Sequence, residues 1–253
     1  MRGKIMRGLE AAADVMLPRT CVVCERRLNI DERHLCLHCM AELPLTYFWG
    51  RSRNPMADRF NLLIENGAGP DPADAGRERY AFAAALFFYD GEGDYRRIPQ
   101  QLKYHGNIGL GRHFGRTLGL RLKSSGHFAD VDTVIPVPLH WSRRWKRGYN
   151  QAEVIAEEVA RTLGATMHTD ILCRRRRTAT QTRLSPEAKR ANVSGAFMAD
   201  RTKAQAAVFR HILLIDDVFT TGSTLMACFT ALRTVFPPSV RISVATLAFV
   251  GGG

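Results

Sequence analysis

Hydrophobic and polar positions become regular in the C-terminal half of the chain. Residues 131–135 (VDTVI) form a largely apolar, β-branched run closed by Pro136 and Pro138, which predicts a buried strand. Gln151 to Leu163 then places Val154, Ile155, Val159 and Leu163 near 3.6-residue spacing, the mark of a helix. A short strand is expected near Ile171–Leu172, a further strand over His211–Ile215, a helix over Ser223–Val235 and a last strand over Val240–Val250. Upstream, AFAAALFFYD (81–90) reads as a strand ending near Asp90, and Gly111 to Lys123 as a helix despite its glycines. Alternating β and α elements predict an α/β fold with a mainly parallel sheet and helices on both faces.

The N-terminal part follows other rules. Met1 to Met16 carries basic residues and an alanine-rich stretch broken by Glu10 and Asp14, so it reads as a short amphipathic helix, not a signal peptide. No apolar run approaches the ~18 residues of a membrane span, and a cytoplasmic protein is expected. Met40 to Arg59 shows no sustained period, and Glu65 to Glu78 is rich in Gly, Pro and Asp, as linkers and exposed loops are. The expected organisation is an N-terminal module over 1–59, a linker over 60–79 and the α/β domain over 80–253.

Cysteine spacing gives the N-terminal module its chemistry. Cys21-Val-Val-Cys24 and Cys36-Leu-His-Cys39 are paired C-x₂-C knuckles, each able to aim two thiolates at one point. Tetrahedral zinc is the favoured reading over two disulfides or a redox dithiol. A four-cysteine shell is closed, hence structural, and metal binding would supply folding energy that so short a segment lacks. His34 and His38 lie inside the module but are read as surface groups or neighbours of the ligands. Cys173 and Cys228 stand outside it, as a loop-edge thiol and a buried small hydrophobe.

The most specific stretch is residues 212–224, ILLIDDVFTTGST: a buried strand, two carboxylates, a hydroxyl-rich loop around one glycine, then a helix. Thr220, Thr221, Gly222, Ser223 and Thr224 would lie at a helix N-terminus, where backbone N–H groups accept an anion. Asp216 and Asp217 can accept hydrogen bonds from a sugar diol. A ribose carrying a 5′-phosphate satisfies both halves. The lysine of a P-loop is missing, and no G-x-G-x-x-G follows a strand, so neither of those nucleotide sites is expected.

Charge adds a class of partner. The net charge of +12 points to anions, and the basic residues cluster at Arg143, Arg144, Lys146 and Arg147 and again at Arg174 to Arg177. Small phosphate-rich molecules and nucleic acid both qualify, and Trp141 and Trp145 beside the arginines could stack bases.

Residues 216–224 resemble the signature of type I phosphoribosyltransferases. That likeness implies binding of phosphoribosyl pyrophosphate (PRPP) or ribose 5-phosphate, with the loop on the 5′-phosphate and the acids on the ribose hydroxyls. The order of segments narrows it further. The knuckles at Cys21–Cys39, Leu102-Lys103-Tyr104-His105-Gly106, the P-V-P-L-H…R-G-Y-N-Q-A segment (136–152), Gln181…Leu184…Arg190…Asn192 and the 212–224 signature together resemble the ComF family. These are phosphoribosyltransferase-like proteins linked to DNA uptake. The resemblance implies a pyrophosphate loop at 139–151 and a flexible hood at 174–192. Asp216, Asp217, Arg143 and Arg147 then become the catalytic candidates, and Lys103, Gln181 and Arg183 further substrate contacts. It also implies structural zinc, Mg²⁺ with PRPP, and single-stranded DNA or a DNA-processing protein as partners. Two readings stay open: a Mg²⁺-dependent transferase, or a non-catalytic PRPP- or single-stranded-DNA-binding accessory protein that docks partners through its zinc module.

Overall fold

A computed structural model describes residues 19–67, 78–89, 93–174, 195–205 and 208–251. The helix expected over 1–16, Asp90, Arg175–Arg177, Gln181, Arg183, Leu184, Arg190 and Asn192 lie outside the described residues.

Seven strands and eight α-helices are described. Strands β1 (Ala83–Phe88), β2 (Thr133–Pro136), β3 (Thr166–Met167), β6 (His211–Phe219) and β7 (Arg241–Phe249) form one sheet in the order β1-β7-β6-β2-β3, every pair parallel. β4 (Leu172–Arg174) and β5 (Phe197–Ala199) make a separate antiparallel pair. The helices are α1 (Leu37–Ala41), α2 (Pro55–Gly67), α3 (Arg97–Tyr104), α4 (Ile108–Lys123), α5 (Trp141–Arg147), α6 (Gln151–Leu163), α7 (Arg201–Ala204) and α8 (Ser223–Arg233). The α/β class with a parallel sheet is as expected from the alternation.

The central strands β6 and β7 are almost wholly buried, as a parallel sheet covered on both faces requires. β6 runs beyond the apolar segment that predicted it. Its ladder with β7 continues through Asp216–Thr246 to Phe219–Phe249, so backbone pairing sets its end. The strand expected near Ile171–Leu172 forms at Leu172–Arg174, off the main sheet, where it pairs with β5.

The glycines of α4 explain a helix that propensity disfavours. Gly111, Gly115 and Gly119 recur every fourth residue and face α6. A Cβ at Gly115 would stand 2.9 Å from the Ile155 carbonyl oxygen, and one at Gly119 2.8 Å from Thr162 Cβ. Glycine costs about 1 kcal/mol per helical position. Here it permits backbone-to-backbone approach of two helices over the sheet.

α2 occupies a region where no period was expected, and it carries residues 60–67 of the expected linker. Asn54 Oδ1 accepts hydrogen bonds from the Met56 and Ala57 N–H groups and Pro55 opens the first turn, an N-cap followed by N1 proline. Met56, Phe60 and Ile64 are buried at four-residue intervals. Just before it, the chain lies along the free edge of β1: the Thr46 N–H donates to the Leu86 carbonyl oxygen and the Phe88 N–H to that of Pro44. That edge is thereby covered. Buried side chains form one cluster that includes Leu35, Cys39 and Leu43 of the module together with the strands.

Candidate functional site

Strands β2 and β6 are neighbours whose connections leave in opposite directions. The chain after β2 runs through α5 and α6 to β3, and the chain after β6 runs through α8 to β7. Between such strands, at their carboxyl ends, a parallel sheet opens a crevice. The loop of residues 137–140 with α5 forms one side, and residues 219–223 the other.

The second side is built for an anion. α8 begins after Gly222, whose φ of +78° lies in the left-handed region. A Cβ there would also meet Phe219 Cζ at 2.7 Å and Leu63 Cδ1 at 2.8 Å, so glycine is required twice over. Gly222 provides no side-chain cap to the N–H groups of the first turn of α8. Thr221 Oγ1 lies 2.8 Å from Ser223 Oγ and holds the loop's hydroxyls together. Asp216, Val218, Phe219, Thr220, Gly222, Ser223, Thr224 and Leu225 line a small, open concavity.

The two acids part company. Successive side chains on a strand point to opposite faces. Asp216 lines the concavity, and its charge is felt by Cys228 of α8 and by Arg174. Burial, and then the charge of Asp217, push the Asp216 carboxyl up to about 8. Its Oδ1 accepts a hydrogen bond from the Asp217 N–H. Asp217 is buried and pairs with Lys103 of α3, Oδ2 to Nζ 2.9 Å. Burial works to lower the Lys103 pKa, but the charge and hydrogen bond of Asp217 together with the charge of Asp216 outweigh it and hold the ammonium above its usual value.

On the first side, α5 sorts its residues by face. Trp141 and Trp145 share one face at i, i+4, and Arg143 and Arg147 lie roughly opposite. The tryptophans are 73% and 88% exposed. Arg147 stacks over the Tyr104 ring, 5.5 Å from its centroid, and the charge of Arg143 reaches Arg174. Arg144 pairs with Glu153, 2.7 Å. The segment is fixed at both ends. His140 caps α5 through Ser142 N–H, and Asn150 caps α6 while its Nδ2 donates to the Val137 carbonyl oxygen at 3.0 Å.

The four cysteines of the knuckles converge. The Sγ atoms of Cys21, Cys24, Cys36 and Cys39 all lie within 4.8 Å of one another, with Cys24 and Cys36 at 3.7 Å. Sulfurs about 2.3 Å from a tetrahedral centre stand about 3.8 Å apart, so the set fits zinc as a structural, closed shell. Peptide N–H groups of Cys36 and Cys39 point at Cys21 Sγ and Cys36 Sγ. His38 instead pairs with Glu42, and the His34 ring packs near His113 of α4. Among the described residues no other group of three His, Cys, Asp or Glu gathers as a metal site. Asp216 is the only carboxylate lining the concavity.

Two residues of this region were not singled out from sequence. Arg59 of α2 donates to the Thr220 carbonyl oxygen (3.1 Å) and that of Val250 (3.4 Å) while stacking on Phe249. The Tyr149 hydroxyl donates to the Leu102 carbonyl oxygen. Arg59 comes from a segment without a clear period, and nothing local announces its distant partners. Tyr149 lay within the expected pyrophosphate loop, beside the arginines that drew attention there.

No family model matches the chain. It is 34% identical to competence protein F of Haemophilus influenzae over 131 residues, 51% of this chain and 57% of that protein. Identity to the DNA utilization protein YhgH of Escherichia coli K12 is 35% over 113 residues, 45% of this chain and 44% of that protein. For YhgH of Salmonella typhi it is 39% over 95 residues, 37% of this chain and 40% of that protein. The chain thus spans about half the length of the curated relatives it matches. No helix among the described residues is long and apolar enough to cross a membrane.

Proposed function

Since the chain is a homologue of competence protein F and YhgH, in the ComF family, we propose that it binds PRPP through a phosphoribosyltransferase-like site and serves DNA uptake or utilisation. One observation carries this reading: the N-terminus of α8, whose N-cap Gly222 brings no side chain, and the Asp216 carboxyl line the same concavity at the end of β6. The N–H groups take the 5′-phosphate, and Asp216 accepts hydrogen bonds from the ribose. The Lys103–Asp217 pair lies beside it and steadies the end of β6.

As a transferase, the site would cleave the bond between ribose C1 and the diphosphate. The diphosphate leaves with the bonding electrons, positive charge develops on the sugar ring, and the lone pair of an acceptor base or amine forms the new bond to C1. Arg143 and Arg147, on the face of α5 away from the tryptophans, would stabilise the departing anion. Among the described residues no carboxylate cage for Mg²⁺ gathers. The ion would arrive on the diphosphate, as Mg²⁺ commonly does, and neutralise part of its charge. Gln181 and Arg183 complete the proposed substrate contacts.

Thermal unfolding with and without PRPP and Mg²⁺ tests the reading. A ligand at about 100 times its Kd adds about 2.7 kcal/mol to the folded state. The wild type should be stabilised on that scale and Asp216→Asn, binding about tenfold more weakly, by only about half as much. A wild type that PRPP fails to stabilise sinks the reading.

A second reading, single-stranded DNA binding, is favoured by the exposure of Trp141 and Trp145 on a helix that also carries four cations. Flat apolar rings beside cations suit unstacked bases and phosphates. Binding should weaken steeply with salt as counterions are released. Trp141→Ala/Trp145→Ala should lower affinity for an oligonucleotide while leaving the PRPP response intact. Affinity flat with salt, or unchanged in the variant, counts against this role.

A further inference from the structure

We infer that the four-cysteine module governs the candidate site mechanically, through α3, and that Tyr95 and Arg97 are positioning residues for the Lys103–Asp217 pair. The start of this helix is tied to the module twice. The Tyr95 hydroxyl, one turn ahead of α3, donates to the carbonyl oxygen of Cys39 at 2.9 Å. Arg97, the first residue of α3, pairs with Glu25, which directly follows Cys24. Glu25 has φ +60°, a conformation uncommon for residues other than glycine. The turn that completes the first knuckle therefore presents a carboxylate to α3 from a backbone shape that glycine would adopt more readily.

The far end of the same helix touches three parts of the site. Lys103 pairs with Asp217 of β6, the Leu102 carbonyl oxygen accepts from Tyr149, and the Tyr104 ring lies under Arg147 of α5. Eight residues at 1.5 Å rise span about 12 Å, so a displacement at the module is delivered to the site within two turns. The helix moves as a unit because Ile98, Pro99 and Leu102 are buried and Leu102 packs against α4 at Gly111. Neither tie belongs to the cysteine set. Both can be cut while the metal ligands remain.

The inference uses the proposed PRPP site only for its consequence, that metal loss would weaken ligand binding. Its test needs no ligand. The zinc-loaded full chain is treated with an amine-acetylating reagent, and the modification rate of each lysine is read by peptide mass spectrometry. Compared are the wild type, Tyr95→Phe/Arg97→Ala, Arg97→Ala alone, and the wild type stripped with a chelator. An amine released from its carboxylate deprotonates and reacts more readily. Lys103 should therefore react severalfold faster in the double variant and in the stripped protein, with exposed Lys123 and Lys146 unchanged. The double variant should still hold zinc, and Arg97→Lys should restore part of the protection. An unchanged Lys103 rate in a zinc-retaining double variant overturns the inference. If the double variant loses its metal, Arg97→Ala decides by the same criterion. Lys103 protection that responds as stated, in a protein PRPP does not stabilise, would leave the strut standing and remove only the ligand reading.

Discussion

Asp216 and Asp217 are adjacent in sequence but keep different main partners: Asp216 lines the concavity at the end of β6, and Asp217 lies 2.9 Å from Lys103. Each still feels the other's charge. Their substitutions should separate, because only Asp217 makes the short ion pair.

Asp217→Asn should destabilise the fold, because it leaves the Lys103 ammonium facing no carboxylate. Breaking a fully buried pair costs about 3–5 kcal/mol. Lys103 keeps 28% of its side chain exposed, so about 2 kcal/mol is expected. Asp216→Asn should leave stability near that of the wild type or raise it, since it removes a desolvated carboxylate beside Asp217. Urea unfolding of the two variants checks this, and equal destabilisation would count against a distinct structural role for Asp217.

Gly115→Ala should be destabilising although alanine is the better helix former. The added methyl would lie 2.9 Å from the Ile155 carbonyl oxygen, a backbone atom that cannot swing aside. Overpacking of this kind costs about 1–3 kcal/mol. Gly126→Ala, with nothing near its Cβ, is the control and should be close to neutral. Thermal denaturation of both variants distinguishes close packing of α4 on α6 from a general dislike of substitution.

Much of this architecture is legible in sequence. Helix α6 falls on the expected residues 151–163 because its apolar stripe and its Asn150 cap agree. The paired knuckles read directly as a four-sulfur cluster, since their ligands are local in sequence. α2 was missed because Met56, Phe60 and Ile64 lie on a four-residue stripe without the companion positions that make a period obvious. The end of β6 was also not legible: the apolar run ends at Ile215, and only the ladder with β7 shows that the strand continues beneath both acids. Lys103 is flagged by the 102–106 segment, but its partner Asp217 and the contacts of Arg59 lie across the fold, where no local pattern reaches.

His211 predicts a pH effect. It is fully buried, with Nδ1 2.6 Å from Asp130 Oδ1 and Nε2 2.8 Å from Ser243 Oγ. Asp130 as a carboxylate can only accept, so Nδ1 carries the proton and Nε2 accepts from the Ser243 hydroxyl, whose oxygen takes the Phe82 N–H. The arrangement has the order of a hydrolytic triad, but Ser243 is 0% exposed and no substrate could reach it. Burial lowers the His211 pKa, outweighing Asp130. The unfolded chain then binds the extra proton first, so stability from this group is complete above about pH 6.5 and falls as pH drops toward the folded value. His211→Gln should flatten the dependence of Tm on pH between about 7 and 5.5. An unchanged slope would assign that dependence to other groups.

The cysteine module should hold one zinc per chain. Elemental analysis should find it, and Cys36→Ser should lose both the metal and much of the cooperative unfolding, because Cys21, Cys36 and Cys39 lie in the same buried cluster as Leu35 and Leu43. A protein that folds with full stability after chelation would exclude a structural metal.

The most direct test of the central claim is calorimetric titration with ribose 5-phosphate, which carries the two groups the concavity is proposed to hold and no diphosphate. The wild type should bind it saturably and ignore ribose. Asp216→Asn should weaken binding about tenfold, or about 1.4 kcal/mol. Absence of binding to the wild type, or equal affinity in the variant, would contradict a site made from the α8 N-terminus and Asp216.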